Sequence, residues 1–166
     1  LDKKKSIGVD VHSYDSPKEV IIDGQQRLTS LYAVMKGKKV INSKFDEKSI
    51  VISYCPLQNK FEVGYQATKN DPEWIYNISD LFTSTNTFKF IGDFIKKLGD
   101  YRSTKGSELT DEEQGLIADR INGVVNLKSH TLPVFDIKST AEEEDVSEIF
   151  VRVNSGGVSL KQNDFI

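Results

Sequence analysis

Three observations predict an α+β fold, a mixed sheet of hairpins with helices packed on it. Alternating apolar runs come in pairs separated by turn residues, and apolar residues recur at helical spacing between and after them. Strand and helix patterns also do not alternate regularly enough for a doubly wound parallel sheet. The 166 residues fit one domain, residues 1–166, and 37% hydrophobic with 28% charged residues is a globular composition. A chain this long buries roughly 70% of its unfolded surface and needs no covalent staples.

The elements follow in order. Ser6–His12 alternates with Ile7, Val9 and Val11 on one side, a half-buried strand, and Ser13–Pro17 is turn chemistry. Glu19–Asp23 returns as a second strand, giving a hairpin. Gly24 breaks it, and Gln25–Lys36 turns helical, with Leu28, Leu31, Tyr32 and Met35 in an apolar stripe. Gly37 fits the C-terminal cap, with Lys36 and Lys38 favourable at the negative end of the dipole. Ile50–Tyr54 and Lys60–Tyr65 predict a second hairpin. Asp71-Pro72 opens an irregular segment holding Trp74, Ile75 and Tyr76, and a helical turn at Ser79–Phe82 follows.

Thr87–Leu98 carries Ile91, Phe94, Ile95 and Leu98 in helical register, closed by Gly99, and Tyr101–Ser107 is loop-like. Thr110-Asp-Glu-Glu113 is a capping box that starts a helix bearing Leu116, Ile117, Ile121 and Val124. His130–Ile137 reads as a strand, at an edge or a bulge because of Pro133. Thr140 or a neighbour caps Glu142–Val153, whose buried stripe is Val146, Ile149, Phe150 and Val153. Asn154–Gly157 stops that helix, and Ser159–Ile166 begins another. Trp74, Tyr76, Phe88, Phe90 and Phe94 are expected in the core.

Composition excludes several function classes. Cys55 is the only cysteine, so neither an internal disulfide nor a multi-cysteine zinc site can form. It reads as a half-buried residue before Pro56 and suits a reducing cytoplasm. His12 and His130 lack metal-ligand spacing, and no metal site is expected. No apolar run approaches the roughly 18 residues of a membrane span. The start, Leu-Asp-Lys-Lys-Lys, is neither an apolar signal core nor an initiator Met, which suggests an internal piece of a longer protein.

The net charge of −3 creates no global field for nucleic acid, but its distribution is uneven. Residues 1–50 hold 10 basic and 7 acidic side chains, residues 107–150 hold 3 and 11. That asymmetry either orients the domain towards a polyanion or reflects solvated helix faces. Lys36-Gly-Lys-Lys39 with Lys44 is similarly either a path for a phosphate backbone or a wet surface. Asp46-Glu-Lys48 lacks the spacing of a metal-nuclease motif.

The most informative stretch is Val20–Leu31: a strand, a glycine turn, then a helix N-terminus whose unpaired N–H groups and dipole favour anions. Gly24 permits close backbone approach, Arg27 is a bidentate phosphate donor, and Gln25 and Gln26 can contact phosphate, base or ribose. Asp23 is placed to cap the helix or to help hold a metal ion bound to phosphates. Thr29 joins on geometry, its hydroxyl lying in the first turn. The spacing is neither GxxxxGK[ST] nor GxGxxG. By these rules alone, a capped turn with an exposed arginine remains open beside the anion site.

Asp23-Gly-Gln-Gln-Arg-Leu-Thr29 resembles the DGQQR signature of the GmrSD restriction-endonuclease N-terminal domain family. Ile149-Phe-Val-Arg-Val-Asn-Ser-Gly-Gly157 with Leu160 resembles that family's IFxRxNsgGxxL segment, and His130–Ile137 its LPVxxI strand. The resemblance covers about Lys18–Ile166, with residues 38–128 matching in pattern only, and Ser30 replaces the commoner Thr. It implies a ParB/sulfiredoxin-like fold from a bacterial anti-phage protein that recognises modified DNA. It further implies that Asp23, Gly24, Gln25, Gln26 and Arg27 form a site for a nucleoside triphosphate with Mg²⁺, Asp23 and Arg27 being the catalytic pair if hydrolysis occurs.

Arg152 and Asn154 are expected to reach across and complete that pocket, although a helix-stop turn with a surface arginine stays open beside this. The implied partners are nucleotide, DNA through the full-length protein, and a C-terminal nuclease domain or subunit. A homo-oligomer is compatible. Relative to the family the chain is expected to be truncated at both ends, so cleavage by this piece alone is not expected. The competing classes are a DNA-binding module whose turn contacts backbone phosphate, and an interaction scaffold without a ligand.

Overall fold

The computed structural model describes residues 21–42, 45–138 and 140–155. The strand at Ser6–His12, the turn after it, the start of the strand at Glu19–Asp23 and the helix at Ser159–Ile166 lie outside the described residues. The chain divides into two compact units, residues 1–130 and 131–166.

In the first unit, α1 (Gln25–Lys36) runs over the predicted residues and ends at Gly37, whose φ of 61° gives the left-handed cap. Its buried side chains are Ala33 and Val34, with Met35 packed partly against the core. Leu28, Leu31 and Tyr32 are exposed, contrary to the predicted stripe. The small face wins because α1 packs against α3 (Ile78–Thr83). A Cβ on Gly37 would already touch the Thr83 methyl at 3.4 Å.

A short hairpin that the sequence did not announce follows: β1 (Lys39–Ile41) and β2 (Glu47–Ser49), antiparallel with Val40 opposite Lys48. Phe45, in its turn, has a φ of 64°. The predicted second hairpin forms as β3 (Ile52–Cys55) and β4 (Lys60–Val63), with Tyr54 opposite Phe61 and their rings stacked at 4.5 Å. Its turn puts Asn59 in the left-handed region, which asparagine tolerates. The described strands thus form two separate antiparallel pairs, not one mixed sheet.

β3 is the buried centre. Tyr54 exchanges backbone bonds of 2.9 and 2.8 Å with Ile75 on its other side. Ser53 donates its hydroxyl to the Tyr76 carbonyl at 2.6 Å. Cys55 is fully buried, not half-buried, and burial pushes its thiol pKa up, which keeps it protonated. Around β3 pack α3, the long helix α4 (Thr87–Thr104) and α5 (Asp111–Asn126), joined by the short α2 (Gln66–Asn70).

Two expectations about α4 are corrected. Gly99 does not end it, because its backbone does not take the left-handed φ of a C-terminal cap and the helix runs on to Thr104. Its last full turn is held by Arg102, paired with Glu73 at 3.0 Å and Glu113 at 3.7 Å. Phe88 is 87% exposed, whereas Phe94 is buried and Phe90 partly so; Trp74 and Tyr76 are half-buried. α5 starts at the predicted capping box and buries Ile117, Ile121 and Val124, but Leu116 faces out. Arg120 donates to the carbonyls of Pro56 and Leu57 at 2.7 and 2.6 Å, tying α5 to the β3–β4 turn. A single 3₁₀ turn, Leu127–Ser129, ends the unit.

In the second unit, residues 131–138 form no strand. Pro133 lacks an N–H, no described strand pairs with the segment, and Leu132, Val134 and Phe135 are exposed. The helix α6 (Glu143–Ser155) starts after Glu142, whose N–H is accepted by the Asp145 carboxylate at 3.3 Å. It continues through Asn154. Val146 and Ile149 are half-buried, but Phe150 and Val153, expected inside, are exposed.

Candidate functional site

The Asp23–Arg27 turn is built by local geometry. The chain arrives through Ile21 and Ile22, which belong to no strand, bends at Asp23, and Gly24 takes a φ of 80° as the residue before the helix. Among the described residues no side chain caps α1 there. The first helical bond runs from the Leu28 N–H to the Gly24 carbonyl at 2.9 Å, so the N–H groups of Gln25, Gln26 and Arg27 precede the ladder. Asp23 therefore does not cap the helix. Gly24 occupies the capping position, and the carboxylate one residue earlier turns to the nearest cation instead. Arg27 Nη2 donates to Asp23 Oδ2 at 3.0 Å, one helical turn on. The Gln25 side-chain amide donates back to the Ile21 carbonyl, a second strap over the same span.

Charge and exposure at this turn are simple. The arginine and aspartate neutralise each other on the surface, with 69% and 43% of their side-chain area open to water. An exposed pair of this kind contributes at most about 1 kcal/mol. Gln26 is exposed and Thr29 half-buried. The structure thus brings Asp23, Gly24, Gln25, Gln26, Arg27 and Thr29 together. Arg152 and Asn154 belong to α6 in the second unit, where Arg152 pairs with Glu148 at 2.7 Å. The Asn154 side chain, Gly156, Gly157 and Leu160 lie outside the described residues.

The family model described as GmrSD restriction endonuclease, N-terminal domain, matches residues 6–166, which takes in the turn, the core and α6. The chain belongs to this family. Comparison with curated proteins and with solved structures gives no match. As a GmrSD N-terminal domain, the chain is a component of a restriction protein, a setting consistent with DNA and a nuclease domain as partners. No helix among the described residues is long and apolar enough to cross a membrane.

Further polar features of this GmrSD domain fall away from the turn. Among the described residues no group of three or more His, Cys, Asp or Glu can hold a metal ion. Asp23 alone is a fit for Mg²⁺ only in the way that ion is often held, by one carboxylate plus the phosphates it arrives with. His130 ends the 3₁₀ turn on the surface. A cleft of about 200 Å³ that no spacing or motif announces lies at the other end of α1, lined by Lys36, Lys38, Ser49, Asn77, Asp80 and Thr83. Twelve helical residues separate it from Gly24, roughly 18 Å along the axis. Its only sequence trace is the Gly37 cap, which announces the end of a helix and not what packs there.

Proposed function

We propose that this domain is the nucleotide-binding part of a modification-dependent defence protein, ParB/sulfiredoxin-like in fold, and that it binds a nucleoside triphosphate with Mg²⁺ at the Asp23–Arg27 turn. The observation that carries this reading is the start of α1 behind a left-handed glycine, uncapped among the described residues, with an arginine that among them pairs with an exposed aspartate. Free N–H groups and the positive dipole end favour a phosphate there. Arg27 prefers it too, since a phosphate accepts two parallel bonds and carries more charge than the carboxylate it displaces.

Displacement sets up the second role. Once Arg27 turns to phosphate, Asp23 is a bare carboxylate beside the phosphate oxygens. Mg²⁺ brought by the nucleotide supplies charge neutralisation at that point. Gln25 and Gln26 offer neutral donors and acceptors for the ribose or base. Binding stands ahead of hydrolysis, since the turn contains no general base other than Asp23 itself.

Calorimetric titration of GTP, ATP, CTP and UTP with Mg²⁺ tests this. Wild type is expected to bind one of them, and Arg27→Ala to lose at least tenfold, the scale of one charge-assisted contact of roughly 1.5–3 kcal/mol. Heat that is identical for Arg27→Ala moves the nucleotide elsewhere. Absence of heat with every nucleotide, together with salt-sensitive oligonucleotide binding that Arg27→Ala weakens, would assign the turn to backbone phosphate instead.

A further inference from the structure

Phe45 lies at the turn of the β1–β2 hairpin, 88% exposed and with a φ of 64°. Backbone bonds join the described residues on its two sides: the Phe45 N–H donates to the Asn42 carbonyl at 3.0 Å and the Asn42 N–H to the Asp46 carbonyl at 3.0 Å. The Asp46 N–H also donates to Asn42 Oδ1 at 2.9 Å. Left-handed geometry suits glycine or asparagine, and a bulky aromatic there is an outlier. A phenyl ring in water adds an unfavourable hydration. Neither cost is offset by packing within the fold, and such positions are where function is to be sought.

The surroundings carry an excess of positive charge. Residues 36–48 hold five lysines against two acids, in a chain whose net charge is −3. Lys36, Lys38, Lys39 and Lys48 are all exposed. Lys39 is partly neutralised by Glu47 at 3.4 Å, while Lys36 and Lys38 line the cleft at the hairpin's foot beside the hydroxyls of Ser49 and Thr83. Asp80 lines the same cleft and opposes an anion at its inner wall. β1 with one residue on either side, Lys38 to Asn42, spans about 13 Å.

We propose that the β1–β2 hairpin is a contact for single-stranded or locally unpaired nucleic acid. Phe45 stacks on an unstacked base, and Lys36, Lys38 and Lys48 follow the adjoining phosphates. One aromatic tip set among lysines matches the two components of single-strand binding, a π-face and a cationic track. A lipid surface asks for a broader apolar face than exposed Phe45 and Ile41 supply. The inference does not depend on the nucleotide reading, since the hairpin follows the opposite end of α1 from the Asp23–Arg27 turn.

The test is fluorescence anisotropy of the 166-residue protein with a labelled single strand of about 15 nucleotides and with its duplex, at several salt concentrations. Wild type is expected to prefer the single strand. Phe45→Ala lowers that affinity about tenfold, within the range for losing one base stack, and leaves duplex binding nearly unchanged. Phe45→Gly shows the same loss while its thermal midpoint rises, because glycine relieves the left-handed turn. Replacing Lys38 and Lys48 together by Gln reduces the salt slope by about 1.4, two single-strand contacts at roughly 0.7 each. Arg27→Ala leaves the oligonucleotide affinity as it was. No binding by wild type at low salt overturns the proposal, as does a Phe45→Gly protein that is folded and binds like wild type.

Discussion

Gly24 and Gly64 are both required, for different physical reasons. At Gly24 an added Cβ would meet only Arg27 Nη2 at 3.7 Å, an ordinary contact, but the φ of 80° belongs to the left-handed region. Gly24→Ala therefore costs backbone energy alone, about 1 kcal/mol, or about 2–4 °C in thermal midpoint for a chain of this size. At Gly64 a Cβ would stand 2.4 Å from Val51 Cγ1 and 3.2 Å from Tyr76 Cε2. The Gly64 N–H donates to the Val51 carbonyl at 2.8 Å, so the backbone cannot withdraw without losing that bond. Gly64→Ala should cost more, in the range of about 1–3 kcal/mol for overpacking. Scanning calorimetry of both variants checks the order, and a Gly24→Ala midpoint below that of Gly64→Ala contradicts it. Gly24 was legible in the sequence because a strand ends and a helix begins beside it. Gly64 was not, since the clash exists only once β4 has brought it onto Val51.

Elements were legible where their ends are locally encoded. α1 stops at Gly37 and α5 starts at Thr110 because a cap needs only neighbours in sequence. β1 and β2 were missed because three residues each, Lys-Val-Ile and Glu-Lys-Ser, are too short to show alternation. The exposed Leu28, Leu31 and Tyr32 teach a related point: helical spacing says which residues share a face, not which face is covered. The capping box supplies the prediction at this scale. Thr110 accepts from the Glu113 N–H at 3.2 Å, and the Glu113 carboxylate accepts from the Thr110 N–H at 3.0 Å. That backbone bond, helped by the Thr110 hydroxyl and the Arg102 charge against opposing desolvation, holds the Glu113 carboxyl below its usual range. A carboxyl with a folded-state pKa below its unfolded one stabilises the fold above the unfolded value of about 4.3 and loses that contribution as pH falls through the folded value. Thermal midpoints measured from pH 6 down to pH 3 should fall more steeply for wild type than for Glu113→Gln. Thr110→Ala should lower stability by about 1 kcal/mol at neutral pH. Parallel pH curves for wild type and Glu113→Gln would remove the carboxylate from the account.

At the scale of the molecule, the core cluster among the described residues runs from Val34 to Val124. The candidate site divides along the same lines. The Asp23–Arg27 turn was legible because its contacts span four residues, whereas any part α6 plays depends on non-local placement that no spacing encodes. The helical spacing predicts a buried stripe of Val146, Ile149, Phe150 and Val153, yet Phe150 and Val153 are exposed, because periodicity cannot say whether a covering surface exists. Ending the protein after His130 removes none of the core cluster seen among the described residues, so a cooperative unfolding transition should survive with a midpoint within a few degrees of the full chain. By contrast Ile121→Ala, which opens a void at a fully buried position, should cost about 2–5 kcal/mol. The deletion also takes away seven acidic and three basic side chains, shifting the net charge from −3 to +1. Long-range repulsion of a polyanion falls with it, so oligonucleotide affinity at low salt should rise and the gain should fade as salt screens the removed charges. A shortened chain that is unfolded by circular dichroism would show that residues 131–166 are required for the core to form.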